Sequence, residues 1–443
     1  MTSSQVPYSP VVSSRCDIAI IGAGAAGLFA SIWAGRTLRA STSPERKRAG
    51  SVLALDGATQ LGAKVLVAGG GRCNVTHHAV DESAYAGSSR NAIKKVLRRF
   101  DVPQTVQFFR ERGVELKRED TGKLFPTTDD AHTVLDALLG AASDAGVSLL
   151  TAHRVNVVRT NGDLFLVEHS RGELLARRVI LATGGKSLPK TGSDGHGHEI
   201  AKSLGHTITP RVFPALVPLT IPKDHWLTTL SGVTLPATLE LRAKSGKKLQ
   251  SFTNSTLVTH FGLSGPSVLD MSRYYTAEKL DNPHDPPRLV MNWIPGETLD
   301  GLDAFLAAEG RRGGTTLRRS LEGKLPERVL TALAASVGLE LNASLATMSK
   351  DKRRALAAAL TELELPISGD RGYLFAEVTA GGVPLSEIHL ETMESRVCPG
   401  LHLCGEICDV DGRIGGFNFQ WAWASGYIAG CGAANGLSTT LAP

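Results

Sequence analysis

Asp17 to Gly35 reads DIAIIGAGAAGLFASIWAG, and the reading of this stretch decides the fold. Ile18 to Ile21 form a short unbroken apolar run, the pattern of a central parallel strand covered on both faces. Gly22, Gly24 and Gly27 follow in GxGxxG spacing, and Leu28, Phe29, Ile32 and Trp33 then recur at helical intervals. Strand, glycine turn and helix in that order make a cradle for a dinucleotide. Gly22 permits the tight turn, Gly24 lets the backbone approach a pyrophosphate, and Gly27 lets helix and strand pack closely. The anion would rest on the free N–H groups and positive dipole end of the new helix. A strand–helix turn without a nucleotide is the competing reading. A membrane span over 18–35 is disfavoured by its four glycines and by the lack of a basic flank.

The next part needed is an acid ending the second strand, to bind a ribose hydroxyl. Ser51 to Asp56 (SVLALD) supplies Asp56, later than the usual ~20 residues past the glycines. A polar insertion from Ala40 to Gly50 (ASTSPERKRAG) accounts for the excess as an exposed loop. The alternative is that Asp56 caps a turn with Gly57. Downstream, Gly69-Gly70-Gly71-Arg72-Cys73-Asn74 disfavours helix and strand alike, so it reads as a loop whose amides can wrap a ligand. Arg72 would put a fixed cation beside that ligand.

At 443 residues the chain is too long for one core, and its 42% hydrophobic and 21% charged content is that of an ordinary soluble globular protein. Six cysteines without a CxxC pair show no disulfide framework and point to a reducing compartment, so a cytoplasmic location is expected. Nothing pairs Cys404 and Cys408 with His196 and His198 at metal-finger spacing, so no metal is expected. The first 15 residues lack a charged and then apolar secretory pattern and read as a tail, with a weak targeting segment as the alternative. The net charge of +5 is too mild to prove nucleic-acid binding, but basic residues cluster. Lys94, Lys95, Arg98 and Arg99 gather on one helical surface, Arg110, Arg112, Lys117 and Arg118 follow, and Arg311, Arg312, Arg318 and Arg319 form a second group. These are either phosphate-binding surfaces or solvated faces.

Residues 84–150 look mainly helical. Segments 153–160 and 164–170 flank Asn161-Gly162, a hairpin signal. Leu181 to Gly185 (LATGG) is a buried strand ending in glycines. From about Pro210 prolines punctuate short extended pieces, and 301–365 is Ala/Leu-rich and helical by pattern. We expect a first domain segment at 16–210, an inserted domain at 211–370 and a return segment at 371–443. In the return segment a strand, an acid and a Gly-Gly turn opening a small-residue helix repeat the logic of the N-terminus.

Taken together, these segments resemble the BaiN/RdsA (YhiN-like) family of FAD-dependent oxidoreductases. The resemblance is carried by DIAIIGAGAAGL, GAKVLVAGGGRCNVTH, ILATGGKSLPKTGSDGHG, THFGLSGP, AEVTAGGV and CGEICDVDGRIGGFNFQWAWASG, which span nearly the whole chain in the family's order. It implies an α/β fold, a two-dinucleotide-type FAD-binding Rossmann domain with an inserted β-plus-helical domain. By the resemblance Gly22, Gly24, Gly27 and Asp56 hold the ADP half of FAD, and Lys64 with Gly69, Gly70, Gly71, Arg72 and Asn74 lie over pyrophosphate and flavin. Val155 meets the adenine through its backbone, and Thr183 and Gly184 lie beside the nucleotide. Asp409, Gly415, Gly416 and Asn418 face the ribityl chain and the flavin pyrimidine.

Members of this family include dihydrouridine synthases of large-subunit ribosomal RNA, bile-acid double-bond reductases and an aminoacetone oxidase. The expected activity is therefore NAD(P)H-driven reduction of a conjugated C=C bond, most concretely uridine to dihydrouridine in ribosomal RNA. With no second GxGxxG, the reductant would visit the flavin face directly. Cys73 and then His260 are the candidate proton donors, although Cys73 can equally be a small packing residue and a single histidine in an apolar segment is more often a satisfied core residue. The alternatives are an oxidase of a small amine and a flavin-bearing binding protein without turnover.

Overall fold

The computed structural model describes residues 14–40 and 51–437. The loop expected at 40–50, apart from Ala40, and residues 1–13 of the expected tail lie outside this range. Among the described residues no helix is long and apolar enough to cross a membrane. The chain divides into two compact units, one comprising residues up to Phe213 and from Val378 onward, the other Pro214–Glu377.

The first unit is built on the opening stretch. Strand β1 (Ser14–Ile21) is followed by helix α1 (Ala25–Ala40) and strand β2 (Val52–Leu55). Helix α2 (Ala131–Asp144) leads to β3 (Val147–Leu150), and a hairpin of β4 (Val155–Asn161) and β5 (Leu164–His169) runs into β6 (Gly172–Leu181). β1 lies between β6 and β2, parallel to both, and β2 pairs in parallel with β3. Ile18, Ala19 and Ile20 have no exposed surface, as expected of a strand covered on both faces. The last parallel strand, Leu401–Leu403, pairs with β6.

Helix Phe417–Gly436 packs against α1, and two of its glycines make that approach possible. A Cβ on Gly426 would lie 2.7 Å from the Ala26 carbonyl oxygen, and one on Gly430 would lie 2.2 Å from that of Ala30. The indoles add specificity, since Trp423 Nε1 donates to the Val75 carbonyl and Trp421 Nε1 to that of Gly405.

The segment 84–150 is less helical than its pattern suggests. Besides helices Arg90–Leu97, Val102–Glu111 and α2, it holds a hairpin of Leu116–Arg118 with Lys123–Pro126. The signal for this hairpin is the Glu119–Gly122 turn, in which Gly122 N–H donates to Glu119 O and Glu119 N–H to Lys123 O. A turn residue decides between helix and strand for short apolar runs that flank it.

His402 lies fully inside this unit, with Nδ1 donating to the Thr392 carbonyl at 2.9 Å and burial lowering its pKa to about 4. It folds as the neutral ring, so protonation favours the unfolded chain. The stability it contributes is complete above pH ~6.5 and falls away as the pH drops toward 4. His402→Asn should flatten the acid side of the thermal stability profile between those values. An unchanged profile would remove His402 from the acid response.

The second unit has its own antiparallel sheet. Strands Thr234–Arg242 and Lys248–Thr259 form its central hairpin, flanked by Arg288–Asn292 and Gly262–Ser264. Helices Leu299–Arg312, Glu327–Ser336 and Lys350–Thr361 supply Leu302, Leu306, Leu333 and Leu360 to a core shared with Leu239, Met291 and Trp293. These apolar positions recur at helical spacing and cover one face of the sheet, which is why the Ala/Leu-rich stretch stays with this unit.

Candidate functional site

The glycine turn separates packing from binding. Gly22 turns with φ of 96° and donates its N–H to Leu55 O at 2.8 Å. A Cβ there would lie 2.6 Å from Ala182 O, and a Cβ on Gly27 would lie 1.8 Å from Gly22 O. Close packing therefore requires glycine at both positions. A Cβ on Gly24 would meet nothing within 4 Å, so internal packing does not require that glycine. Its bare backbone stands at the start of α1, where a helix offers unpaired N–H groups to an anion.

Asp56 sits beside this turn. One carboxylate oxygen accepts from Ala23 N–H at 2.8 Å and the other from Ala58 N–H at 2.8 Å. It thus caps its own turn and also clips the glycine loop, leaving lone pairs on both oxygens. The Asp56 carbonyl accepts from His153 N–H at 2.8 Å, which brings the start of β4, and with it Val155, alongside the acid.

Thr183 and Gly184 follow β6. Thr183 Oγ1 and Asn74 Oδ1 are buried and make no hydrogen bond within the described residues. Buried polar atoms of this kind fit a polar group bound beside them, and FAD has the hydroxyls and ring amides to pair with them. The Gly69–Gly71 loop precedes Asn74 and is exposed, with left-handed φ angles of 59°, 71° and 86°.

Lys64, expected over the pyrophosphate, is tied within its own unit. Its Nζ donates to Glu406 Oε2 at 2.6 Å and to Ser187 Oγ at 2.7 Å. Ser187 Oγ and Thr379 N–H both donate to Glu406 Oε1, at 2.8 and 2.9 Å, and Thr379 Oγ1 accepts from Lys186 and Ser187 N–H. Burial would push the Glu406 carboxyl up, but the Lys64 charge and these donors hold it below its ordinary value. Three segments of one unit, a short helix, a loop and a strand, are thereby fastened at a single carboxylate. Sequence reading missed Glu406, Ser187 and Thr379; the acid following Gly405 after a buried strand was the available signal.

The other expected residues have the following surroundings. Arg72 lies 4.0 Å over the Phe125 ring and pairs with Glu119 at 2.7 Å and Asp129 at 3.5 Å, so its charge is neutralised within the protein. Cys73 has no exposed surface, and burial lifts its thiol to about 12. It packs in the core behind the loop. Asn418 donates to Gly412 O and accepts from Gly412 N–H, at 2.9 and 2.8 Å. Its amide braces the turn before Gly415 and Gly416. Gly416 opens the last helix so close to Thr76 that a Cβ would lie 2.5 Å from its carbonyl carbon. Asp409 is buried and accepts from Ser88 Oγ at 3.2 Å. His260 is exposed and lies in the second unit, on the turn after Thr259.

The basic clusters are also partly neutralised. Lys94 pairs with Glu82, Arg110 with Glu115, Arg112 with Asp144 and Lys117 with Asp129. In the second unit Arg312 pairs with Glu309 and Arg318 with Glu327. Lys95, Arg98 and Arg99 remain exposed at the end of helix Arg90–Leu97.

A model of the HI0933-like protein Rossmann domain matches residues 16–432. The chain is 33% identical over 419 residues to a 3-dehydro-bile acid delta(4,6)-reductase of Clostridium scindens, covering 94% of this chain and 98% of that one. It is 32% identical over 423 residues to a ribosomal RNA dihydrouridine synthase of Escherichia coli, covering 93% and 96%. In fold it is similar to the E. coli quinol fumarate reductase subunit FrdA, at a TM-score of 0.50 and 13% identity, over 97% of this chain and 72% of that one. The chain belongs to the HI0933-like family and is an FAD-dependent oxidoreductase.

Proposed function

We propose that this protein uses NAD(P)H to reduce the C5=C6 bond of uridine, giving dihydrouridine in large-subunit ribosomal RNA, in the cytoplasm. The observation that carries the reading is near end-to-end similarity to relatives named ribosomal RNA dihydrouridine synthase from E. coli and Haemophilus influenzae. When bound, FAD supplies the hydride chemistry. The start of α1 with Gly24 would receive the pyrophosphate, Asp56 the ribose, and Asn74 and Thr183 further polar groups of the cofactor. The backbone at Val155 would meet the adenine, and Gly184, Asp409, Gly415 and Gly416 would line the remainder. Lys64 and Glu406 hold the surrounding loops in register. Of the two candidate proton donors Cys73 is buried and His260 exposed, which favours His260. Lys95, Arg98 and Arg99 would hold RNA phosphates.

Incubation of the holoprotein with NADPH or NADH and ribosomal RNA, followed by nucleoside mass spectrometry, should detect dihydrouridine. Replacing Lys95, Arg98 and Arg99 with Ala should weaken RNA binding and flatten its salt slope by about 0.7–0.9 for each phosphate no longer neutralised. RNA left unmodified while a conjugated 3-keto bile acid is reduced would favour the second reading. That reading, reduction of a small enone, rests on the similarity to the C. scindens reductase.

A further inference from the structure

We propose that Arg371, Phe261 and Phe375 of the second unit form a platform for one unstacked RNA nucleotide, with the base on the exposed aromatic ring and the phosphate on the guanidinium. This rests on the RNA reading above and names residues that would recognise the RNA. The Arg371 guanidinium carbon lies 3.7 Å from the Phe375 ring centre and 4.3 Å from that of Phe261. No carboxylate pairs with it among the described residues, and its side chain makes no hydrogen bond there. Arg72, also stacked on a phenylalanine, is by contrast held by two acids. Arg371 is thus a cation fixed by aromatic faces whose N–H donors are left for a ligand. A planar guanidinium presents those donors in the fork that matches a phosphate.

The surroundings supply the aromatic half. Phe375 is 46% exposed and its neighbour Leu374 57%, two large apolar side chains in succession on a surface. The backbone beneath them is well tied. Arg371 N–H donates to Pro218 O, Phe375 and Ala376 N–H both donate to Gly372 O, and Gly372 N–H donates to the Asp370 carboxylate. On the other side, Phe261 O accepts from Ile221 N–H, and exposed His260 stands edge-on to the Phe261 ring. An open ring beside an unpaired, oriented cation is the combination with which single-stranded nucleic acid is held, by base stacking and phosphate binding together. A purely apolar partner would leave the guanidinium buried without an anion, which is costly.

The test is fluorescence anisotropy of the holoprotein with a labelled single-stranded oligouridylate across a salt series, with polyphosphate as a base-free competitor. Phe375→Ala should weaken oligouridylate binding about 5- to 150-fold with an unchanged salt slope, and leave polyphosphate competition intact. Arg371→Gln should flatten the slope by about 0.7 and weaken binding of both polymers. Phe375→Trp should restore affinity, which separates stacking from loss of fold. If wild type binds RNA and both variants bind equally well, the platform is wrong while the RNA reading stands. If wild type binds no oligouridylate and leaves ribosomal RNA unmodified, both fall together.

Discussion

Gly24→Val should fold like the wild type and purify colourless. No atom lies within 4 Å of a Cβ at this position, so the side chain disturbs no internal packing. It does stand where phosphates must approach the start of α1 closely. Gly27→Ala should do the opposite, because its Cβ would lie 1.8 Å from Gly22 O and 3.2 Å from the Ala182 Cβ. Backbone cannot give way as a side-chain end can, so a loss of about 3 kcal/mol or more is expected, seen as a lower unfolding midpoint. Visible flavin absorbance per mole of protein, read beside circular-dichroism melts, separates the two. Stoichiometric FAD in folded Gly24→Val would show that the cofactor site is elsewhere.

The second large effect is expected at Glu406. Lys64→Met removes the cation that faces its carboxylate and leaves a charge that is 16% exposed with only neutral donors. Breaking a buried pair costs about 3–5 kcal/mol, and the low end is expected here because Lys64 itself is 29% exposed. The pH dependence gives the sign. In the wild type the carboxyl is held below its ordinary value, so its contribution is present above pH ~4.5 and is lost as the pH falls through the folded value. In Lys64→Met burial prevails and the carboxyl takes up a proton more readily. The stability gap between variant and wild type should therefore narrow as the pH is lowered past about 4.5. Adding Glu406→Gln to the variant should recover part of the loss at neutral pH. A gap independent of pH, with no recovery in the double variant, would reduce the pair to surface decoration.

The second prediction joins segments that are far apart in sequence, whereas the first concerns a turn set locally. Strand, glycine turn and helix at 18–35 were legible because their signals are local: an apolar run, three glycines at fixed spacing and a helical recurrence. The same is true of the Asn161-Gly162 hairpin, where a two-residue turn sets the pairing. Family motifs distributed along the chain carried the FAD chemistry, because backbone approach to a ligand demands glycine at specific positions.

Side-chain destinations were not legible. Nothing in the spacing says that Lys64 turns to Glu406, 342 positions away, or that Asn418 braces Gly412. Nor does it show that Arg72 is neutralised by Glu119 and Asp129 while Arg371 pairs with no acid among the described residues. Whether a charge is paired depends on which loops meet in space, and burial decides whether Cys73 is a reagent or part of the core. Local sequence determined the turns and the backbone that a dinucleotide can approach, through sterics acting over a few residues. Tertiary packing alone decided which charges are neutralised, which polar atoms are buried without a partner and which cation is held out to solvent, because those depend on long-range packing and the desolvation it imposes.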